Sequence, residues 1–233
     1  MPSAPAPNPL TDPAPGAWAK LVESLGPASL LVVIQARMGP ALRGRFTPDD
    51  VLQDVLLDAW NRRDSLRWQG TQAFRALLLT LIDHRLADAA DHFAALKRGG
   101  GGIGHAGGAT LNGRGARPGP GGAGPGGQGI ATSTPSRAAV YREQAALMAA
   151  ALEAVPEDCR EVVRLRLFEE LHAAQIAVRL GLGEAAVRHR FRRGVQAYKR
   201  AIDGLISSRA RRTLGIAPAG GADSASGMPQ PRR

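Results

Sequence analysis

A long glycine-rich stretch in the middle of the chain most constrains what it can fold into. Between Gly99 and Gly129, 16 of 31 residues are glycine, and prolines interrupt the rest. Glycine loses the most conformational freedom on ordering and adds no side chain to a core, so this composition predicts a flexible linker. We therefore predict a first block at residues 18–98 and a second block at 136–208, joined by a disordered linker at 99–135.

The two ends of the chain differ from the blocks in composition. Residues 1–17 are rich in proline and alanine, and residues 209–233 are rich in glycine, alanine, proline and serine. We predict that both ends are disordered, because they have few large apolar residues to bury. Inside the blocks, alanine and leucine supply most of the apolar content, and aromatic residues make up only 4% of the chain. This favours helices over strands and predicts an all-α protein of two small helical domains.

The formal net charge of +10 at pH 7 suggests a polyanionic partner, either a nucleic acid or an acidic membrane surface. The largely apolar stretches at 30–34 and 76–82 are far shorter than the roughly 20 residues of a membrane-spanning helix. The N-terminus lacks the basic and apolar regions of a signal peptide. We expect no membrane insertion and a cytoplasmic location, with which the single cysteine is consistent.

The sequence offers no pattern for catalysis or metal binding. It contains no nucleophile elbow, P-loop or zinc-protease motif, and its five histidines are scattered. With one cysteine, no zinc cluster is predicted. The Gly-x-Gly fragments of the linker lack the preceding strand and following helix of a dinucleotide site. We predict that the protein is not an enzyme and uses no metal and no cofactor.

In the first block, residues 47–50 (Thr-Pro-Asp-Asp) predict the start of a helix, because they combine an N-cap residue, a first-turn proline and two acids. Apolar residues then recur at helical spacing through Trp60. The opposite face is polar apart from one leucine, and it carries Asp50, Gln53, Asp54 and Leu57.

A second helix of this block is predicted to begin near Thr71, and just before it stand Arg67, Trp68 and Gln69. An aromatic ring beside a cation can stack on an unpaired base. It can equally anchor a loop on the core, and the sequence leaves both roles open. The predicted helix turns its large apolar residues inward, namely Phe74, Leu77, Leu78, Leu81, Ile82 and Leu86.

The second block contains the pattern of a helix-turn-helix. One helix is predicted at about 172–180, a turn at 181–183, and a second helix from Glu184. Gly181 stands where the turn requires a positive φ. Val187 can pack the second helix against the first.

The second of these helices is strongly basic, and after Glu184 it carries no acid until Asp203. Acidic residues one turn away would normally dilute such a face. A recognition helix presents basic side chains to base edges and phosphates in the major groove. The predicted DNA-binding residues are Arg188, His189, Arg190, Arg192, Arg193, Lys199 and Arg200.

Short motifs in both blocks resemble those of one family. Residues 50–54 (Asp-Val-Leu-Gln-Asp) resemble the Asp-Leu-Val-Gln-Glu motif of sigma region 2, and Ala59-Trp60 follows as in that family. Residues 152–163 resemble the Leu-Pro-x-x-x-Arg-x-Val stretch of region 4, and 175–181 resemble its Glu-Ile-Ala-x-x-Leu-Gly. By these motifs, their order and the gap between them, the chain resembles the extracytoplasmic-function (ECF) group of bacterial RNA polymerase sigma factors.

The resemblance implies a region 2-like helical bundle and a region 4-like helix-turn-helix that bind core RNA polymerase and direct promoter recognition. Asp50, Gln53, Asp54 and Leu57 would contact the β′ subunit. Residues 67–69 would receive a base of the −10 element, and the basic helix would bind the −35 element while the second block contacts the β subunit. An anti-sigma factor is a further candidate partner. The alternative is a helix-turn-helix regulator that binds operators without polymerase, which leaves the motif at 50–60 unexplained.

Overall fold

The computed structural model describes residues 8–14, 16–97 and 135–213. All regular secondary structure in these residues is helical, which confirms the predicted all-α class. The described residues exclude most of the predicted linker and tail, and also residues 1–7 and 15 of the N-terminal segment. The disorder predicted for these segments therefore lies outside the described residues.

Helices α1–α5 fall in the first block and helices α6–α9 in the second. The first block has α1 (Ala17–Ser24), α2 (Pro27–Arg37), α3 (Pro40–Arg43), α4 (Pro48–Asn61), a 3-10 turn (Arg63–Ser65) and α5 (Thr71–Lys97). The second block has α6 (Pro135–Glu153), α7 (Glu157–Leu167), α8 (Ala173–Leu180) and α9 (Glu184–Thr213).

Helix α4 begins as its sequence predicts. The backbone N–H of Asp50 donates to the Thr47 hydroxyl at 3.2 Å, and the Thr47 N–H donates to the Asp50 carboxylate at 2.8 Å. This reciprocal capping box satisfies donors that the first turn leaves free. The predicted apolar stripe is buried at Val51, Leu52, Val55, Leu56 and Ala59, and Trp60 is partly buried.

Helix α5 packs on α4 through the residues predicted to face inward. Phe74, Leu78, Ile82 and Leu86 are buried, and Leu77 and Leu81 are partly buried against the same core. The apolar pattern gives no sign that Arg75 is also buried, with 5% of its surface exposed. Its guanidinium reaches backbone carbonyls and a hydroxyl, which compensate the loss of water around a buried charge.

Helix α2 is apolar on every side and runs through the middle of the protein. It contacts α4 and α5 of the first block on one side and α6 of the second block on the other. A helix that is hydrophobic all round requires such cover on all its faces. Its five consecutive buried residues are Leu30, Leu31, Val32, Val33 and Ile34. The two blocks therefore share one core, a packing that the linker composition does not reveal.

Among the described residues, no single helix is both long and apolar enough to cross a membrane. Helices α1 and α2 reach that length and hydropathy only together, as a pair bent by 58°.

The structure departs from the predicted boundaries near both ends. Leu10, in the segment predicted to be disordered, is buried in the core with 3% of its surface exposed. Its N–H donates to the Asn8 side chain at 3.0 Å, so a short turn orders this part of the segment. Helix α9 continues past residue 208 to Thr213, and Arg209 forms an ion pair there with Glu143 of α6.

Helices α7 and α9 approach most closely at Gly194. A Cβ atom at this position would lie 2.5 Å from Cγ2 of Val163 and 2.9 Å from Cβ of Cys159. Such contacts are far inside van der Waals distance, so only glycine fits without movement. Gly204, on the same helix, has no atom within 4 Å of the equivalent position.

We expect Gly194→Ala to destabilise the protein, by roughly 1–3 kcal/mol, because overpacking outweighs the helix propensity gained with alanine. Gly204→Ala is the matched control, and it should stabilise α9 by up to about 1 kcal/mol. The measurement is the urea midpoint of helix loss followed by circular dichroism. Equal shifts for the two variants would show that the α7–α9 crossing does not require a glycine.

Candidate nucleic-acid interface

Helices α8 and α9 form the helix-turn-helix within the predicted boundaries. His172 precedes α8, and its N–H donates to the Gln175 side chain at 2.8 Å. Gly181 has φ 63° and ends the helix in the left-handed conformation that its sequence position predicts. The Leu182 N–H then donates to the Ala177 carbonyl at 2.9 Å, and α9 begins at Glu184.

A small core holds the two helices at a fixed angle. Ile176 of α8 and Val187 of α9 are almost fully buried, as the spacing predicts. They pack with Val162 and Leu165 of α7. The orientation of α9 is therefore fixed by apolar packing from behind, while its other side faces solvent.

The outward side of α9 carries the predicted basic residues. Val187, Phe191, Gly194 and Tyr198, spaced three or four residues apart, turn toward the protein. Arg190 is partly buried. The exposed basic residues are Arg188, His189, Arg192, Arg193, Lys199 and Arg200. The structure thus places six of the seven predicted residues on one accessible side.

Acids restrain two of these arginines. Arg188 forms an ion pair with Glu184 at 2.8 Å, and Arg193 is hydrogen-bonded to Asp158 at the start of α7. The hydrogen bond from Arg193 lowers the pKa of Asp158, and the same bond raises the pKa of Arg193. Both groups therefore stay charged near neutral pH.

Sequence reasoning missed Asp158, because spacing along α9 alone cannot show an acid contributed by α7. Its position in the first turn of α7 marks it as a helix-start residue and gives no sign of its partner. His189, Arg192, Lys199 and Arg200 form no ion pair with another described residue. Among the exposed residues predicted to bind DNA, these four therefore have no acidic partner in the part of the chain that the structure describes.

In the first block, the loop before α5 packs its tryptophan inward. Arg67 and Gln69 are exposed, whereas Trp68 is partly buried with its ring centroid 6.0 Å from that of Phe74. Trp18 and Trp60 extend this aromatic group, with centroids 5.1 Å apart. Of the two roles left open for Trp68, the structure shows the anchoring contact, and stacking on a base stays a prediction.

The polar side of α4 brings its four predicted residues onto one face. Asp50 closes the capping box, Gln53 is exposed, and Leu57 is partly buried. Asp54 forms an ion pair with Arg85 of α5, which sequence spacing did not indicate. We call Asp50, Gln53, Asp54 and Leu57 the α4 patch. No group of three or more His, Cys, Asp or Glu side chains in the described ranges is arranged to bind a metal ion.

Comparison with known proteins finds a family match within the second block. Residues 145–197, from the second half of α6 to the middle of α9, match the family model of sigma-70, region 4. No curated protein matches the chain. The matched segment contains α8, the turn and the first half of α9, and it supports a role in promoter recognition. The second block is therefore similar to region 4 of the sigma-70 family.

Proposed function

We propose that this protein is a sigma factor that binds core RNA polymerase and directs it to promoters. The observation that carries the proposal is the region 4 match over a helix-turn-helix whose second helix has an accessible basic side. In this proposal the partners are promoter DNA, the β and β′ subunits and, in some conditions, an anti-sigma factor. The protein works in the cytoplasm, where polymerase is found.

Helix α9 would lie in the major groove of the −35 element. Residues in the first turns of a recognition helix reach base edges, and later ones reach phosphates. Arg188 and Arg192 are therefore the residues we assign to base readout. The ion pair with Glu184 holds the Arg188 guanidinium beside the start of the helix. Lys199 and Arg200, farther along, would contact phosphates, with Arg193 oriented by Asp158.

The first block would contact polymerase and the melted −10 element. The α4 patch combines acidic, amide and apolar groups on one exposed face, and this mixture suits a protein partner better than DNA. Residues 67–69 would lie beside the displaced base. The indole of Trp68 is held against Phe74. In that position it would line the site of the displaced base without stacking on the base.

An operator-binding regulator is the alternative, and the observation that favours it is that the family match covers only the second block. Such regulators usually bind as dimers to two half-sites. A single recognition helix buries little surface on DNA, so free monomeric sigma should bind promoters weakly. Tethering both blocks to polymerase would raise their effective concentration on DNA.

Run-off transcription with core polymerase, on promoters selected from genomic DNA, tests the proposal directly. We expect specific transcripts only when the protein and core polymerase are both present. A parallel titration of DNA should show tight binding only with core polymerase. Nanomolar binding of the free protein, as a dimer on a palindrome, would instead establish the operator-binding regulator.

We expect the replacement of a base-reading residue of α9 and the replacement of a phosphate-binding residue to change DNA binding in different ways. Arg192→Ala should weaken binding to the preferred −35 sequence by about 1–3 kcal/mol of binding free energy. It should also reduce the preference for the base that Arg192 contacts. Lys199→Ala should weaken binding to all sequences alike and flatten the slope of log affinity against log salt by about one unit. The measurement is a titration of polymerase loaded with each variant at several salt concentrations. A change of sequence preference with Lys199→Ala would contradict its assignment.

We expect Gln53→Arg to weaken binding to core polymerase by about tenfold, or about 1.4 kcal/mol, because it places a cation in the centre of the α4 patch. Gln53 is exposed and forms no side-chain hydrogen bond with a described residue, so its replacement should leave the fold intact. Asp54→Arg should also weaken binding, but it removes the ion pair with Arg85 as well. Asp91→Arg, on the exposed side of α5, is the control, and affinity is measured with fluorescently labelled protein. Unchanged affinity of the Gln53→Arg variant would show that the α4 patch does not bind polymerase.

A further inference from the structure

An open pocket of about 910 Å³ lies between the short helix α3 and the second half of α5. Leu42 of α3 and Leu86 of α5 line it, and both are buried in the core of the first block. Much of the remaining lining from α5 is alanine and is exposed, at Ala87, Ala90 and Ala94. Pockets of this volume and apolar lining are typical of small-molecule sites. None of the lining residues belongs to the α4 patch or to α9, so the pocket is separate from both.

The pocket carries a positive charge that no acid balances. Of the described residues that line it, two are arginines and none is acidic. Arg45 is exposed, and its guanidinium carbon lies over the Phe93 ring, 4.6 Å from the ring centroid. This cation–π contact holds the guanidinium against a ring that also lines the pocket. Arg45 forms no ion pair with another described residue, so its charge is available to a bound anion.

The second arginine of the pocket is Arg37, at the end of α2, with its side chain 12% exposed. Its terminal nitrogens bind the carboxylates of Asp83 at 2.6 Å and of Glu169 at 2.5 Å, which balance its charge. Its Nε is buried and has no hydrogen-bond partner among the described residues. A buried donor without a partner is unfavourable. The polar atoms of the lining thus lack an acceptor, and a ligand that supplies one would complete them.

These features together favour a ligand with an apolar body and one anionic group. A carboxylate accepts two parallel hydrogen bonds from a guanidinium, and a hydrocarbon chain gains free energy by leaving water for an apolar lining. An inorganic anion would leave that lining unused, and a cation would be repelled by Arg45. A sugar or nucleotide would lose the hydration of its polar groups against leucine, alanine and phenylalanine side chains, which offer no hydrogen bonds in return.

We propose that the pocket between α3 and α5 binds medium-chain carboxylic acids, with the carboxylate at Arg45 and the hydrocarbon chain along the apolar lining of α5. The inference adds a small-molecule site to the first block. It does not depend on the proposed sigma function, because no lining residue is among those assigned to DNA or to polymerase. A ligand that binds only the folded protein also raises its unfolding temperature, so occupancy of the site is measurable without polymerase.

Isothermal titration calorimetry of the full-length protein tests the site with octanoate, decanoate and dodecanoate, each below the concentration at which it forms micelles. We expect one bound ligand per protein. Affinity should rise about fourfold for each added methylene until the chain fills the pocket. Decyltrimethylammonium, a cation with a chain of similar length, should bind at least tenfold more weakly than decanoate. Equal affinity for this cation, or binding of many ligands without saturation, would show non-specific adsorption and overturn the inference.

The variant Ala90→Leu tests the apolar part of the site. It fills the pocket with a larger side chain and keeps a good helix former at an exposed position of α5, so the fold should tolerate it. We expect it to lower the affinity for decanoate at least tenfold. The matched control is Ala95→Leu, at an exposed position of the same helix that does not line the pocket. Its affinity should be unchanged, and unchanged binding by Ala90→Leu would place the ligand elsewhere and overturn the inference.

The variant Arg45→Gln tests the anionic part of the site, with Arg43→Gln as its control. Each removes one positive charge from the same short segment, but only Arg45 lines the pocket. Arg45→Gln should weaken decanoate binding about tenfold and Arg43→Gln should not. Equal losses in the two variants would assign binding to the net charge of the chain and overturn the inference. A dimer that Ala90→Leu dissociates, in a protein that does not bind decanoate, would instead show that the pocket holds a second copy of the chain.

Discussion

The burial of α2 on all its sides is the constraint on which the rest of the structure depends. With Leu30 through Ile34 all buried, this helix has no face that can be left in water. Among the described residues, α4 and α5 contact it on one side and α6 contacts it on the other. The second block is therefore placed against the first by the need to cover α2. The core spreads from this helix into both blocks, and the ion pairs Arg37–Glu169 and Arg75–Glu170 also join them.

The basic side of α9 depends on a second set of contacts, independent of α2. Gly194 lets α9 come close to α7. Val187 packs the first turns of α9 against the core of the helix-turn-helix. These contacts fix which way the cations point. The acids Glu184 and Asp158 then restrain two of the arginines without neutralising the whole surface. A side chain held in place in this way loses less conformational entropy when it forms a further contact.

Local sequence signals correctly predicted where α4, α5, α8 and α9 begin, because the interactions that start a helix are local. The capping box of α4 and the positive φ of Gly181 follow from residues within a few positions of each other. The contacts that sequence reasoning missed join distant segments. Asp158 and Arg193 are 35 residues apart, and Arg37 and Glu169 are 132 apart. Leu10 was missed for a different reason, since a single apolar residue in a proline-rich segment hardly changes its composition.

The length of α9 has a mechanical consequence. A helix of 30 residues is a rod of about 45 Å, and this one is not interrupted by a proline. Its first turns carry the basic side, and Arg209 near its other end is bound to α6 through Glu143. A rigid rod transmits a tilt at one end as a displacement at the other. A displacement of α6 that carries Arg209 with it would therefore tilt the basic side of α9.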